Sequence, residues 1–258
     1  MIFAVLCGKI KKIKKTPSEE IKMKFITTNS YERLSELAAE YIAAQVILKP
    51  ESVLGLATGS SPVGIYKCLT EKFRKGNLDF SKTVSINLDE YVGLDGSHEQ
   101  SYRYFMQENL FDHVFFKPEN TFVPNGCAED LAAECREYDA RVRRFGGIDL
   151  QLLGIGFDGH IGFNEPDDHF TAETHVVDLP PSTIEANSRF FSSIAEVPKQ
   201  AITMGMGSIM NARKILLIAN GQKKKEVLME AMNGNITPRL PASILQLHRD
   251  VTVIFSEE

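Results

Sequence analysis

Asp158, His160, Asn164 and Glu165 fall within eight positions of one glycine-rich stretch, Leu152 to Pro166, reading LLGIGFDGHIGFNEP. The apolar start of that stretch reads as a buried strand, so the polar groups follow a strand end. In open α/β sheets ligands lie in the crevice beyond the carboxyl ends of the strands, where titratable groups can exchange protons with a substrate. Asp158, His160 and Glu165 are therefore the first candidates for acid/base work. Taken singly, each is equally an ordinary loop residue. Gly154, Gly156 and Gly159 also spell the G-x-G-x-x-G of a dinucleotide turn, with Asp178 at the spacing of a ribose-binding acid. That fingerprint has to open a helix, and no 3.6-residue apolar period follows here. A metal is a further reading of Asp158, His160, Glu165, Asp167, Asp168 and His169, although no zinc-type spacing supports it.

Three more loops join the first. In LGLATGSSPVGIY, Thr58, Gly59, Ser60 and Ser61 stand between a strand and a helix that Pro62 is suited to start. Converging N–H groups, hydroxyls and a helix N-terminus suit a phosphate, and a plain capped turn is the alternative. The lysine of a Walker A loop is missing, which favours a sugar phosphate over a nucleoside triphosphate. Asp89 emerges from the strand in SINLDEYVGL, placed to be a general base or else a cap or ion-pair partner. Arg189 in ANSRFF and Lys223 in NGQKKKE are cations suited to a phosphate dianion, whereas Lys224 and Lys225 read as solvated neighbours.

The elements that must position these residues alternate between β-rich apolar runs and amphipathic helical stretches. Strands are expected over 24–27, 52–57, 84–88, 150–155, 201–204, 214–218 and 251–255, and helices over 31–46, 62–73, 101–110, 131–145 and 223–232. The expected fold class is α/β: one doubly wound three-layer domain with a mostly parallel, Rossmann-like sheet. Residues 166–198 lack clear periodicity and read as a lid segment. The domain is expected to span 23–258, with 1–22 as a disordered N-terminal extension or a mis-assigned start, whose Lys9 to Lys15 run follows a short apolar beginning.

Composition bounds the partners. At 258 residues, 43% hydrophobic, 24% charged and a formal charge of -5, the chain has material for a large core and no global attraction to nucleic acid or an anionic membrane. Cys7, Cys68, Cys127 and Cys135 form no C-x-x-C pair, which fits reduced thiols and a cytoplasmic location. The apolar start is too short for a membrane span and has the wrong order for a secretory signal.

From Met23 onward the chain resembles the glucosamine-6-phosphate deaminases, also called isomerases, through LDEYVGL at Leu88 to Leu94, DGHIGFNEP at Asp158 to Pro166, the TGSSP loop and ANSRFF at Ala186 to Phe191. The related 6-phosphogluconolactonases share the fold and a similar Asp-Gly-His segment, but typically lack Phe-Asn-Glu-Pro and have Arg where Tyr91 stands. The resemblance implies conversion of glucosamine 6-phosphate and water to fructose 6-phosphate and ammonia without cofactor or metal. It implies His160 as the ring-opening acid/base, oriented by Asp158 and Glu165, and Asp89 as the base moving a proton between C2 and C1. Thr58, Gly59, Ser60, Ser61, Arg189 and Lys223 would bind the phosphate. The chain stops at Glu258, directly after the last strand, where long members activated by N-acetylglucosamine 6-phosphate continue; this implies a non-allosteric monomer or small homo-oligomer. A lactonase and a non-catalytic sugar-phosphate sensor are the rival classes, and no added DNA-binding domain is visible for the latter.

Overall fold

The computed structural model describes residues 22–258, so the expected 1–22 extension lies outside the described residues apart from its last position. In chain order the strands are β1 (Lys22–Thr28), β2 (Val53–Leu56), β3 (Val84–Asn87), β4 (Asp89–Tyr91), β5 (Thr121–Phe122), β6 (Leu150–Leu153), β7 (His175–Asp178), β8 (Gln200–Thr203), β9 (Ile215–Asn220) and β10 (Asp250–Ser256). The helices are α1 (Tyr31–Leu48), α2 (Val63–Arg74), α3 (Tyr102–Met106), α4 (Leu131–Arg144), α5 (Pro181–Asn187), α6 (Met206–Met210) and α7 (Gln222–Asn233).

Seven strands form one parallel sheet in the order β1-β10-β9-β6-β2-β3-β5. β2 and β9 are almost wholly apolar, and these two with β6 and β10 are almost wholly buried, as strands covered on both faces must be. Helices flank the sheet: α1 packs on β1, β9, β10 and on α2, and α7 packs on β9. α1 is started by Ser30, whose side chain accepts the Arg33 N–H, and its Leu34, Ala38, Ile42 and Val46 face the core at helical spacing. This is the doubly wound α/β architecture the alternating pattern implies.

Two departures matter. β8, expected in the main sheet, instead forms a separate antiparallel sheet, β4-β8-β7, with Asp89 opposite Thr203 and His175 opposite the same threonine. The segment without clear periodicity, 166–198, contains β7 and α5. Its strand is short and half-buried, which leaves no alternation long enough to read. Among the described residues no helix is long and apolar enough to cross a membrane.

Within the main sheet the chain leaves β2 toward β3 on one side and later returns at β6 on the other. The carboxyl ends of β2 and β6 therefore flank the point where the winding reverses, which is where such sheets open a crevice.

Candidate active site

The four loops singled out in the sequence do meet. A cavity of about 440 Å³ is lined by Thr58 to Ser61 after β2, by Asp89, by Gly154 to His160 after β6, and by Arg189, with Ser182, Thr183 and Asn187 of α5 completing the wall. Glu165 backs His160 and opens onto a neighbouring cavity that shares Asp158, Phe163 and Ser182 with the first.

The loop after β6 holds its own shape. The Asp158 carboxylate accepts the His160 backbone N–H at 3.1 Å, the Gly156 N–H donates to the His160 carbonyl, and the Asn164 amide donates to the carbonyls of Ile161 and Met204. The loop passes through turns and a short bridge between Ile161 and Asn164 rather than into a helix, so the dinucleotide reading of its glycines does not hold. Asp178 closes β7 in the antiparallel sheet. Gly156 has a tighter role: a Cβ there would sit 2.3 Å from His160 Cε1, so the imidazole packs flat against bare backbone.

His160 Nδ1 lies 2.7 Å from Asp158 Oδ1 and 3.2 Å from Glu165 Oε2. One ring N–H cannot point along both lines, and these are close ion-pair contacts rather than aligned hydrogen bonds. Burial disfavours the imidazolium, but the two carboxylates outweigh it and raise its pKa to about 9. Burial works against the Asp158 carboxylate too, and its bonds with the imidazole and backbone hold its pKa well below the ordinary value. One donor atom from each of Asp158, His160 and Glu165 falls within 4.8 Å of the others, a grouping a divalent cation could also use.

Asp89 is only 6% exposed, and among the described residues no hydrogen bond holds its carboxylate. Burial first, then the charge of Glu90, push its pKa up to about 8, against a smaller opposing pull from His160. Gly162 lets the chain pass beside it: its φ is +61°, and a Cβ would stand 3.8 Å from Asp89 Oδ2 and only 2.9 Å from Thr203 Oγ1.

The anionic end of a ligand has a built receptor. α2 and α7 start beside the cavity with no side-chain cap, after Gly59 and Gly221 in positive-φ conformations. Lys224, in the first turn of α7, lines the cavity together with Arg189. Burial and then the nearby guanidinium lower the lysine's pKa. Neither cation has a carboxylate partner among the described residues. Two cations near each other beside two helix starts, the first of which gives its Gly64 N–H to the Tyr31 hydroxyl, are an arrangement that can hold an anion.

Lys223 is a correction. It is exposed and lies outside the cavity, whereas Lys224, set aside from sequence as a solvated neighbour, lines it. The signal was helical register, since Lys224, Val227, Leu228 and Ala231 share the inward face of α7. Tyr102, Phe163, Phe190 and Thr183 were also missed; Tyr102 and Phe163 stack with centroids 6.0 Å apart and planes at 7°, forming an apolar wall.

A sequence profile described as glucosamine-6-phosphate isomerases/6-phosphogluconolactonase matches residues 27–254. A glucosamine-6-phosphate deaminase of Lachnoclostridium phytofermentans is 63% identical over 232 residues, 90% of this chain and 98% of that protein. One from Clostridium perfringens is 57% identical over 92% of this chain and 98% of its own. A solved monomeric glucosamine-6-phosphate deaminase superposes with a TM-score of 0.89 at 46% identity, over 91% of this chain and 97% of that one. The 6-phosphogluconolactonase of Thermotoga maritima superposes at 0.74 with 17% identity, a likeness of fold alone.

Proposed function

This chain belongs to the glucosamine-6-phosphate isomerase/6-phosphogluconolactonase family, and from that premise we infer that it converts glucosamine 6-phosphate and water to fructose 6-phosphate and ammonia. The observation that carries the reading is Asp89: a buried carboxylate with no hydrogen bond among the described residues, in the same cavity as two cations with no carboxylate partner among them. It is a base held ready for a proton that a phosphorylated substrate would bring.

In this reading the phosphate lies at Thr58 to Ser61, Arg189 and Lys224. The protonated His160 delivers its proton to the ring oxygen O5 as the C1–O5 bond breaks, and the neutral imidazole then takes the proton of the C1 hydroxyl, leaving an open-chain aldehyde. Asp158 and Glu165 keep the imidazole charged and oriented until that step. Asp89 then takes the proton from C2 while the C2 ammonium gives one proton to the aldehyde oxygen, leaving a neutral enaminol, and return of the Asp89 proton to C1 leaves an iminium at C2. Water adds to C2, ammonia leaves with the C–N bonding pair, and the ketone of fructose 6-phosphate remains. Fixing the phosphate holds C2 against Asp89 through both transfers, a positioning effect that can supply several kcal/mol.

The same reading places the protein in the cytoplasm, where amino sugar phosphates are degraded, as a monomer or small homo-oligomer; the 46% identical solved relative is a monomeric deaminase. Ammonia release from glucosamine 6-phosphate in the presence of EDTA, beside an Asp89→Asn control, tests it. Release that the substitution lowers by two to four orders of magnitude supports the assignment. Silence of the wild-type protein would move it to lactone hydrolysis, read by acid release from 6-phosphogluconolactone.

A further inference from the structure

The segment that brings Arg189 to the cavity also touches the imidazole's partner. Thr183, in α5, donates its hydroxyl to Glu165 Oε1 at 2.9 Å, while Oε2 of the same carboxylate lies 3.2 Å from His160 Nδ1. Thr183 is 7% exposed, and its position is set by Pro180 and Pro181, whose restricted φ starts α5 and whose first carbonyl accepts the Thr183 N–H at 3.0 Å. Six residues later the chain delivers Arg189 to the same cavity. One short stretch therefore carries both a cation for the phosphate and a clamp on the acid/base group.

We propose that Thr183 is a positioning residue that locks the Glu165 carboxylate toward His160 and so ties the phosphate-holding segment to the charge of the imidazole. A carboxylate fastened at one oxygen can turn only its other oxygen to the ring. Released from Thr183, Glu165 is free to rotate away, and the imidazolium loses part of its support. The other charged groups that bear on His160 are Asp158 of its own loop and Asp89 of β4; Arg189 and Lys224 line the same cavity from the segment after α5 and from α7. Among the described residues, Thr183 is the α5 residue that hydrogen-bonds to Glu165.

The catalytic half of this proposal rests on the deaminase reading, whereas the electrostatic half does not, so both are measured. Thr183→Val keeps the shape and removes the donor; Thr183→Ser keeps the donor. His160 is followed through its ring-proton NMR titration without substrate, assigned by comparison with His160→Gln. The expected result is a His160 titration shifted to lower pH in Thr183→Val and unshifted in Thr183→Ser. In turnover, Thr183→Val lowers kcat by about 10- to 100-fold, the range for loss of a hydrogen bond to a charged group, with KM changed less than about threefold and the alkaline limb moved to lower pH. Thr183→Ser retains the wild-type values. An unshifted titration in Thr183→Val overturns the coupling, and a rise in KM alone makes Thr183 a substrate contact instead. If Thr183→Val does not fold, Thr183→Ser and Thr183→Ala carry the same comparison of donor present against donor absent. A wild-type protein that titrates as expected but releases no ammonia overturns the deaminase reading and leaves the clamp standing.

Discussion

Asp89 and Glu90 are consecutive buried acids with opposite surroundings. The Glu90 carboxylate accepts the backbone N–H groups of Tyr91, Tyr102 and Arg103 at 2.8–2.9 Å, which fastens the start of α3, while the Asp89 carboxylate has no such bond among the described residues. Burial raises both, Glu90 to about 7 against the pull of its three donors and Asp89 to about 8. Glu90 fastens the fold and Asp89 is held in reserve.

That reserve costs stability. A folded-state pKa raised from 3.8 to about 8 means that the stabilisation tied to protonated Asp89 is complete below about pH 3.8 and is lost as pH rises toward 8. Within that window each pH unit removes about 1.4 kcal/mol, taking Asp89 alone. Asp89→Asn is expected to unfold at a higher temperature than wild type at pH 8, with the gap closing toward pH 4. Calorimetric melts at both pH values check this; equal midpoints at pH 8 would contradict the strained-base assignment.

The proposed mechanism requires Asp89 ionised and His160 protonated, so kcat/KM is expected to rise as pH passes about 8 and to fall beyond about 9. Removing the neighbouring charge with Glu90→Gln lowers the Asp89 pKa, and the acid limb moves to lower pH. A pH–rate profile of the two proteins reads the shift; its absence would mean that the acid limb belongs to another group.

The two lysines at the start of α7 separate cleanly. Lys224→Ala removes a cation from the cavity and is expected to raise KM for the sugar phosphate by about 10- to 100-fold, the range for a charge-assisted bond. Lys223→Ala changes an exposed side chain and leaves KM unchanged. The reverse ranking would return the phosphate contact to Lys223.

Gly156→Ala drives a methyl group into the His160 ring. The imidazole must swing off Asp158 and Glu165, and kcat is expected to fall by at least about 100-fold because a small misplacement at the reacting centre is enough. Circular dichroism that matches wild type beside the lost activity separates displacement of the ring from unfolding.

Much of this was legible in advance because the main sheet is built from runs such as VLGL and ILLIAN, whose apolar continuity only a doubly covered parallel strand explains. The acid/base loop was legible for a chemical reason, since Asp158, His160 and Glu165 stand together in one sequence window. The antiparallel sheet was not, because β4 is three residues long and follows β3 after the single residue Leu88, so the two read as one run. Thr183 carried no signal either: a threonine in an aperiodic stretch gains its meaning only when α5 sets it against Glu165. Lys224 lay within reach, had the face of α7 been counted.

Among the described residues β1 has a single neighbour in the sheet, and it is β10. The Thr28 hydroxyl donates to the Phe255 carbonyl across 227 residues of chain. During synthesis, therefore, β1 leaves the ribosome long before its partner exists and waits with both edges unpaired while the rest of the sheet assembles. Closing so long a loop is slow, and an unpaired edge is an invitation to other chains. A nascent chain arrested before Asp250 is then the form most prone to aggregate, and the one a chaperone has most reason to hold.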